Sequence, residues 1–88
     1  MNLFNVYPVN PISIVRAQGS TVWDAAGNAY LDLYGGHAVI SIGHGHPNYV
    51  EAITNQLHAI GFYSNSVEIP IQQWLGELLG EVSGKKDF

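Results

Sequence analysis

The chain has no cysteine, few basic side chains and no long apolar run, and each shortage excludes something. Without thiols there is neither a disulfide nor a thiolate metal site, which fits a reducing compartment. Arg16, Lys85 and Lys86 are the only basic residues, three against seven acidic, for a formal net charge of −4. No basic patch of that size neutralises several phosphates, so nucleic acid is not an expected partner. No stretch reaches the roughly 18 apolar residues of a membrane span. Met1 to Tyr7 lacks the basic start and apolar run of a secretory leader. The expectation is a cytoplasmic chain with no membrane partner.

Charge itself is scarce. Charged residues make up 11% of the 88 and apolar residues 47%, where a soluble domain usually carries about 25% charged. A small self-sufficient domain has a high ratio of surface to volume and needs more charge, not less. Much of this surface is therefore expected to be covered by further polypeptide or by a partner subunit.

What is present falls into two halves. Residues 12–34 read as a three-stranded antiparallel meander. Ile12 to Arg16 is rich in β-branched residues, and Gly19-Ser20 suits a two-residue hairpin loop with glycine first. Thr21 to Asp24 follows, then a second turn at Gly27-Asn28. Ala29 to Tyr34 alternates, with Leu31 and Leu33 on one face. Residues 47–60 and 70–83 read as helices. Pro47 suits a first helical position, Val50, Ile53, Leu57 and Ile60 recur at helical spacing, and Gly61 suits the end. Ile71, Trp74, Leu75, Leu78, Leu79 and Val82 form one apolar stripe, which Gly84 stops. Gly76 and Gly80 lie off the stripe, either as close-packing positions or as tolerated surface glycines.

Between the halves, residues 35–46 lead into Pro47 with four glycines and three histidines around a short apolar run. Such a segment is too uncharged for an ordinary loop, and its glycines allow sharp bends and close approach to a ligand. His37, His44 and His46 could be metal ligands, since three imidazoles with an open fourth position make a catalytic zinc site. A His-x-His pair is a weak signal, however, and Asp32 is the only nearby carboxylate. The favoured reading is that His44 and His46 are hydrogen-bonded residues fixing a turn into the helix at Pro47, and no metal is expected. A phosphate loop is disfavoured as well, because Gly43 to Pro47 matches neither nucleotide fingerprint and Pro47 removes an amide donor. Ser41 and Ser64 have no oxyanion context for nucleophilic catalysis.

The order of these pieces resembles the class III aminotransferases, the ornithine, acetylornithine and 4-aminobutyrate family. The resemblance rests on Gly19, Trp23-Asp24, Gly27, Tyr30-Leu31-Asp32, Gly43-His44-Gly45-His46-Pro47 and Tyr63-Ser64-Asn65-Ser66. It spans essentially the whole chain, with the Leu33 to Val39 segment most similar to acetylornithine types. It implies an α/β, aspartate-aminotransferase-like fold (type I pyridoxal-phosphate transferase), in which the meander belongs to a small domain. It also implies a homodimer with active sites near its interface. The implied reaction moves the ω-amino group of an acylated ornithine to 2-oxoglutarate through pyridoxal 5'-phosphate, in arginine biosynthesis. Partners are thus small amino acid and 2-oxo acid substrates.

The same resemblance places the Schiff-base lysine, the phosphate cradle and the large cofactor-binding domain beyond Phe88. Residues 1–88 are then an N-terminal segment without catalytic or cofactor-binding residues of its own, and Lys85 and Lys86 do not replace that lysine. The residues it implies for substrate binding are His37 and Val39. His37 falls at an active-site mouth, where an imidazole suits an acyl group bearing oxygen or negative charge; the other reading is that His37 only packs beside Tyr34 and bonds to backbone. The alternative is a stand-alone binding or interaction module derived from the same family, without catalysis.

Overall fold

The computed structural model describes residues 3–87, as two units that divide between Leu57 and His58. In the first unit, β1 (Ile14–Gln18), β2 (Thr21–Asp24) and β3 (Ala29–Leu31) form one antiparallel sheet in the order β1-β2-β3. Gly19 and Ser20 join Gln18 to its partner Thr21, and Gly19 takes a φ of +57° at the first loop position. Glycine adopts that left-handed conformation without the cost a Cβ imposes.

β1 starts two residues later than the composition suggested, and it runs to the loop itself. The Ile12 amide donates back to the Asn10 carbonyl at 2.8 Å around Pro11, so the chain is still turning there. Pairing shifts register between Ile14 and Arg16, and Arg16 then faces Trp23 across the sheet. Its guanidinium lies 3.6 Å from the centre of the indole ring, a cation–π contact between cross-strand neighbours.

The β2–β3 connection is organised by one carboxylate. Asp24 Oδ1 accepts the amides of Ala26 and Asn28 at 3.0 and 2.9 Å. Its Oδ2 accepts the Asn28 side-chain amide at 3.0 Å and the Tyr30 hydroxyl at 2.8 Å. These bonds hold the Asp24 carboxyl below its ordinary value of 3.8, with the Asn28 side chain the largest contributor and Tyr30 next. Gly27 completes the turn at φ +86°. The spacing of Trp-Asp, Gly and Tyr is that of a self-contained turn.

β3 is three residues long, where alternation had suggested a strand through Tyr34. Asp32 ends it. Its amide still reaches the Ser20 carbonyl at 2.7 Å, but its side chain accepts the next two free amides, those of Tyr34 and Gly35. A carboxylate serving the amides two and three residues ahead bends the backbone out of the ladder. The chain enters a short helix, α1 (Gly35–Ala38), and then α2 (Pro47–Ala59).

In the second unit, α3 (Pro70–Ser83) begins at a proline and ends at Gly84, whose φ is +71° and whose amide reaches the Gly80 carbonyl at 2.9 Å. Gly80 lies close to the returning chain, since a Cβ there would meet the Lys85 carbonyl oxygen at 3.0 Å. Gly76 faces open space, so of the two glycines only Gly80 is a close-approach position. Gly61 is not among the glycines with positive φ, so it does not close α2 in the left-handed manner expected of it. The apolar stripe of α3 is uncovered: Trp74 is 60% and Val82 81% exposed. Among the described residues none is buried, which is the surplus apolar surface that the composition foretold.

Candidate functional site

The glycine-rich segment is fastened at both ends, and the fastening explains its shape. Asp32 is the first anchor, through the Tyr34 and Gly35 amides, and His44 forms the second. Its amide and carbonyl pair with the carbonyl and amide of Gly19, both at 2.9 Å, so this residue is bridged to the first hairpin loop. The approach is close enough that a Cβ on Gly43 would lie 3.3 Å from the Gly19 Cα. The His44 side chain then turns toward Asp32, with Nε2 2.6 Å from Oδ2. Both side chains are mostly shielded, at 21% and 13% exposure. Asp32 thus takes His44 on one oxygen and two backbone amides on the other. The His44 hydrogen bond is the largest cause of its lowered carboxyl pKa, followed by the Gly35 amide.

His46 works locally. Its carbonyl accepts the Val50 amide at 3.0 Å and its Nδ1 accepts the Asn48 amide at 3.2 Å. It caps α2 as a side-chain acceptor for one of the free amides of the first turn. The three histidines therefore do not converge on a common point: one pairs with Asp32, one caps a helix, and His37 contacts Tyr34. Among the described residues no cluster of three His, Cys, Asp or Glu side chains could hold a metal ion. The His44 amide is also committed to Gly19, so the turn before Pro47 is not a free anion cradle.

Between the anchors the backbone does something the sequence did not announce. φ is +61° at Gly35, Gly36 and Ala38 and +63° at His37, four consecutive left-handed residues. The Ala38 amide bonds the Tyr34 carbonyl at 3.0 Å, so α1 is one turn of left-handed helix. For glycine this conformation is free, but for an L-residue with a Cβ it costs about 1–2 kcal/mol. His37 and Ala38 both bear that cost, and strain of this kind gathers at functional sites because neighbouring structure must enforce it. The bracing contacts here are the Tyr34 and Gly35 amides, which donate to Asp32 Oδ1, and the Ile40 amide, which donates across the turn to the Gly35 carbonyl at 3.0 Å.

The side chains that this turn presents are few and distinct. The Tyr34 hydroxyl sits 2.5 Å from His37 Nδ1 and 2.8 Å from Nε2, with the rings edge to face at 4.9 Å. Val39 follows immediately and is 74% exposed. From Val39 to Gly45 the chain curls with Tyr49 around an open, largely apolar cavity of about 310 Å³. Val39 lines that cavity, whereas His37 stands beside Tyr34 and outside its lining. An apolar wall with a few placed polar groups is the usual make-up of a small-molecule site.

Of the residues that matter here, Tyr49 and the anchoring role of Asp32 escaped the sequence reading, in which Tyr34 figures only as a packing neighbour of His37. The signal for Asp32 was available, because an aspartate shortly before glycine is a common turn initiator.

A model of the family described as aminotransferase class-III matches residues 5–88. An acetylornithine aminotransferase of Corynebacterium efficiens is 49% identical over 63 residues, 72% of this chain and 16% of that protein. One from Halalkalibacterium halodurans is 41% identical over 83 residues, 94% of this chain and 22% of that protein. The solved structure of an acetylornithine aminotransferase from Elizabethkingia anophelis superposes with a TM-score of 0.90 at 24% identity, over 96% of this chain and 22% of that one. The chain therefore spans about a fifth of the length of the relatives it matches.

Proposed function

The chain belongs to the class-III aminotransferase family, and from that premise we propose that it is the N-terminal part of an enzyme moving the ω-amino group of an acylated ornithine to 2-oxoglutarate. The observation that carries this reading is the 41% identity over 83 residues to an acetylornithine aminotransferase, which takes in every element from β1 to α3. Arginine biosynthesis is the matching role, and the cytoplasm the matching place. No helix among the described residues is long and apolar enough to cross a membrane.

Pyridoxal 5'-phosphate is the proposed cofactor of the whole protein, supplying the electron sink for amino transfer. The residues described here do not fit it by themselves. Lys85 and Lys86 lie on an exposed stretch just past the left-handed cap at Gly84. The glycine-rich turn has its His44 amide bonded to Gly19 and a proline at position 47, so it offers no row of free donors for a phosphate. In this reading the lysine and the phosphate site come from other parts of the protein. His37 and Val39 serve as substrate contacts, the first polar and the second apolar.

A homodimer accords with the uncovered apolar side chains of the same segment, Val39 at 74% and Ile42 at 59% exposure. The test is direct. The full-length protein carrying this segment is assayed for amino transfer to 2-oxoglutarate from N-acetylornithine and N-succinylornithine, with its mass measured by light scattering. Transfer from neither donor overturns the functional reading, and a fully active monomer overturns the dimer.

A further inference from the structure

We propose that Tyr34 is a positioning residue: it holds the His37 ring so that the pair keeps one hydrogen-bond donor for an oxygen acceptor on the substrate's acyl group. The proposal rests on the acylornithine reading above and adds to it a residue at the entry of the left-handed turn.

The geometry is specific. Tyr34 and His37 are three residues apart, and in a strand or an extended loop their side chains would diverge. The left-handed turn brings them together, with the Ala38 amide on the Tyr34 carbonyl and the Tyr34 hydroxyl over the nitrogen-bearing edge of the His37 ring. Tyr34 is itself fixed, because its amide donates to Asp32 Oδ1 at 3.1 Å, and Asp32 is tied through His44 to Gly19. A hydrogen-bonded path therefore runs from the first hairpin to the imidazole. Such outer partners orient a contacting side chain much as they orient a metal ligand.

Proton counting gives the chemistry. Tyrosine and neutral histidine together carry two labile protons on one oxygen and two nitrogens. One proton lies between the partners. The other remains available to an outside group in either tautomer, as an imidazole N–H or as a phenolic O–H. The pair therefore recognises an acceptor, such as a carbonyl or carboxylate oxygen. From Leu33 to Ile42 the other side chains are apolar apart from Ser41, so the donor stands on an otherwise greasy surface. There a satisfied hydrogen bond discriminates more sharply than in water.

The experiment compares wild type, Tyr34→Phe, His37→Asn and the double variant in the full-length protein. KM and kcat are measured for acetylated and succinylated ornithine and, in the reverse direction, for glutamate, which has no acyl group. Tyr34→Phe is expected to raise KM for the acylated donors about three- to tenfold relative to that for glutamate, the effect of one hydrogen bond. The double variant should lose no more than His37→Asn alone, since Tyr34 acts through His37. Equal effects on all donors, or additive losses, overturn the proposal. Nitrogen-15 shifts of the His37 ring give a readout that needs no turnover. Ring shifts that differ between wild type and Tyr34→Phe are expected, and identical spectra overturn it. If wild type uses no acylated ornithine, the functional reading falls, and the spectra alone decide whether Tyr34 sets the ring.

Discussion

Asp32 and His44 stand twelve residues apart and share a 2.6 Å hydrogen bond that closes the glycine-rich segment into a loop. The bond carries a pH signature. The Asp32 carboxyl is held below its ordinary 3.8, chiefly by His44. A depressed folded-state value means that the stabilisation is complete above the unfolded value and is lost as pH falls through the folded one. Asp32→Asn should therefore lower the urea midpoint of the full-length protein at pH 7. The gap between variant and wild type should narrow only below pH 3.8. A gap that is constant across the acid range would show that the carboxylate form contributes nothing.

Gly43 and Gly45 separate two kinds of glycine requirement. Both have positive φ, +86° and +64°, but only Gly43 faces a neighbour, with a Cβ there meeting the Gly19 Cα at 3.3 Å and its carbonyl oxygen at 3.4 Å. Gly45→Ala should cost about 1–2 kcal/mol from backbone strain alone. Gly43→Ala should cost more, because it also pries His44 from the hairpin. Thermal melts of the two full-length variants check the order, and equal losses would mean that the bridge adds no stability.

How far the sequence was legible follows from the range of each cause. The hairpin at Gly19-Ser20 and the ends of α3 at Pro70 and Gly84 were readable, because each depends on adjacent residues. The early end of β3 was not foreseen, since alternation of Leu31 and Leu33 argues for a longer strand and the Asp32 side chain overrides it. The left-handed turn was harder still. Two glycines permit it, but nothing local favours it at His37 and Ala38, and its enforcement comes from an aspartate that is itself held by a histidine nine residues after the turn begins. The meeting of the two motifs in one hydrogen-bonded unit is a tertiary fact.

His37 offers a test of donor choice. Replacing it by isoleucine in the full-length protein removes the polar contact and puts an apolar side chain in its place. In the acylornithine reading proposed above, use of a succinylated relative to an acetylated donor should fall roughly ten- to a hundredfold, the range for losing a hydrogen bond to a charged group. The ratio of kcat/KM for the two donors is the measurement. An unchanged ratio would make His37 structural.

The 88-residue chain alone should behave poorly. Among the described residues none is buried, and Trp74, Val39 and Leu33 are each more than half exposed. The isolated chain is expected to bind hydrophobic dyes, to melt without a cooperative transition and to give no aldimine absorbance with pyridoxal phosphate. A sharp melt of a monodisperse monomer would instead mark an autonomous domain.

The turn from Gly35 to Ala38 has one more consequence, which concerns chirality. A left-handed turn is the mirror image of an ordinary one, so its first two positions are occupied by the one achiral amino acid and its last two by residues of the less suitable hand. A D-alanine introduced at position 38 by chemical ligation would sit at its own energy minimum, where the natural residue sits above its own by about 1–2 kcal/mol. At position 37 the same inversion would keep the backbone relaxed and redirect the imidazole away from Tyr34. Backbone ease and side-chain aim are thus opposed at His37. The L-residue is the one that reaches the phenol, and its strain is the cost of that direction.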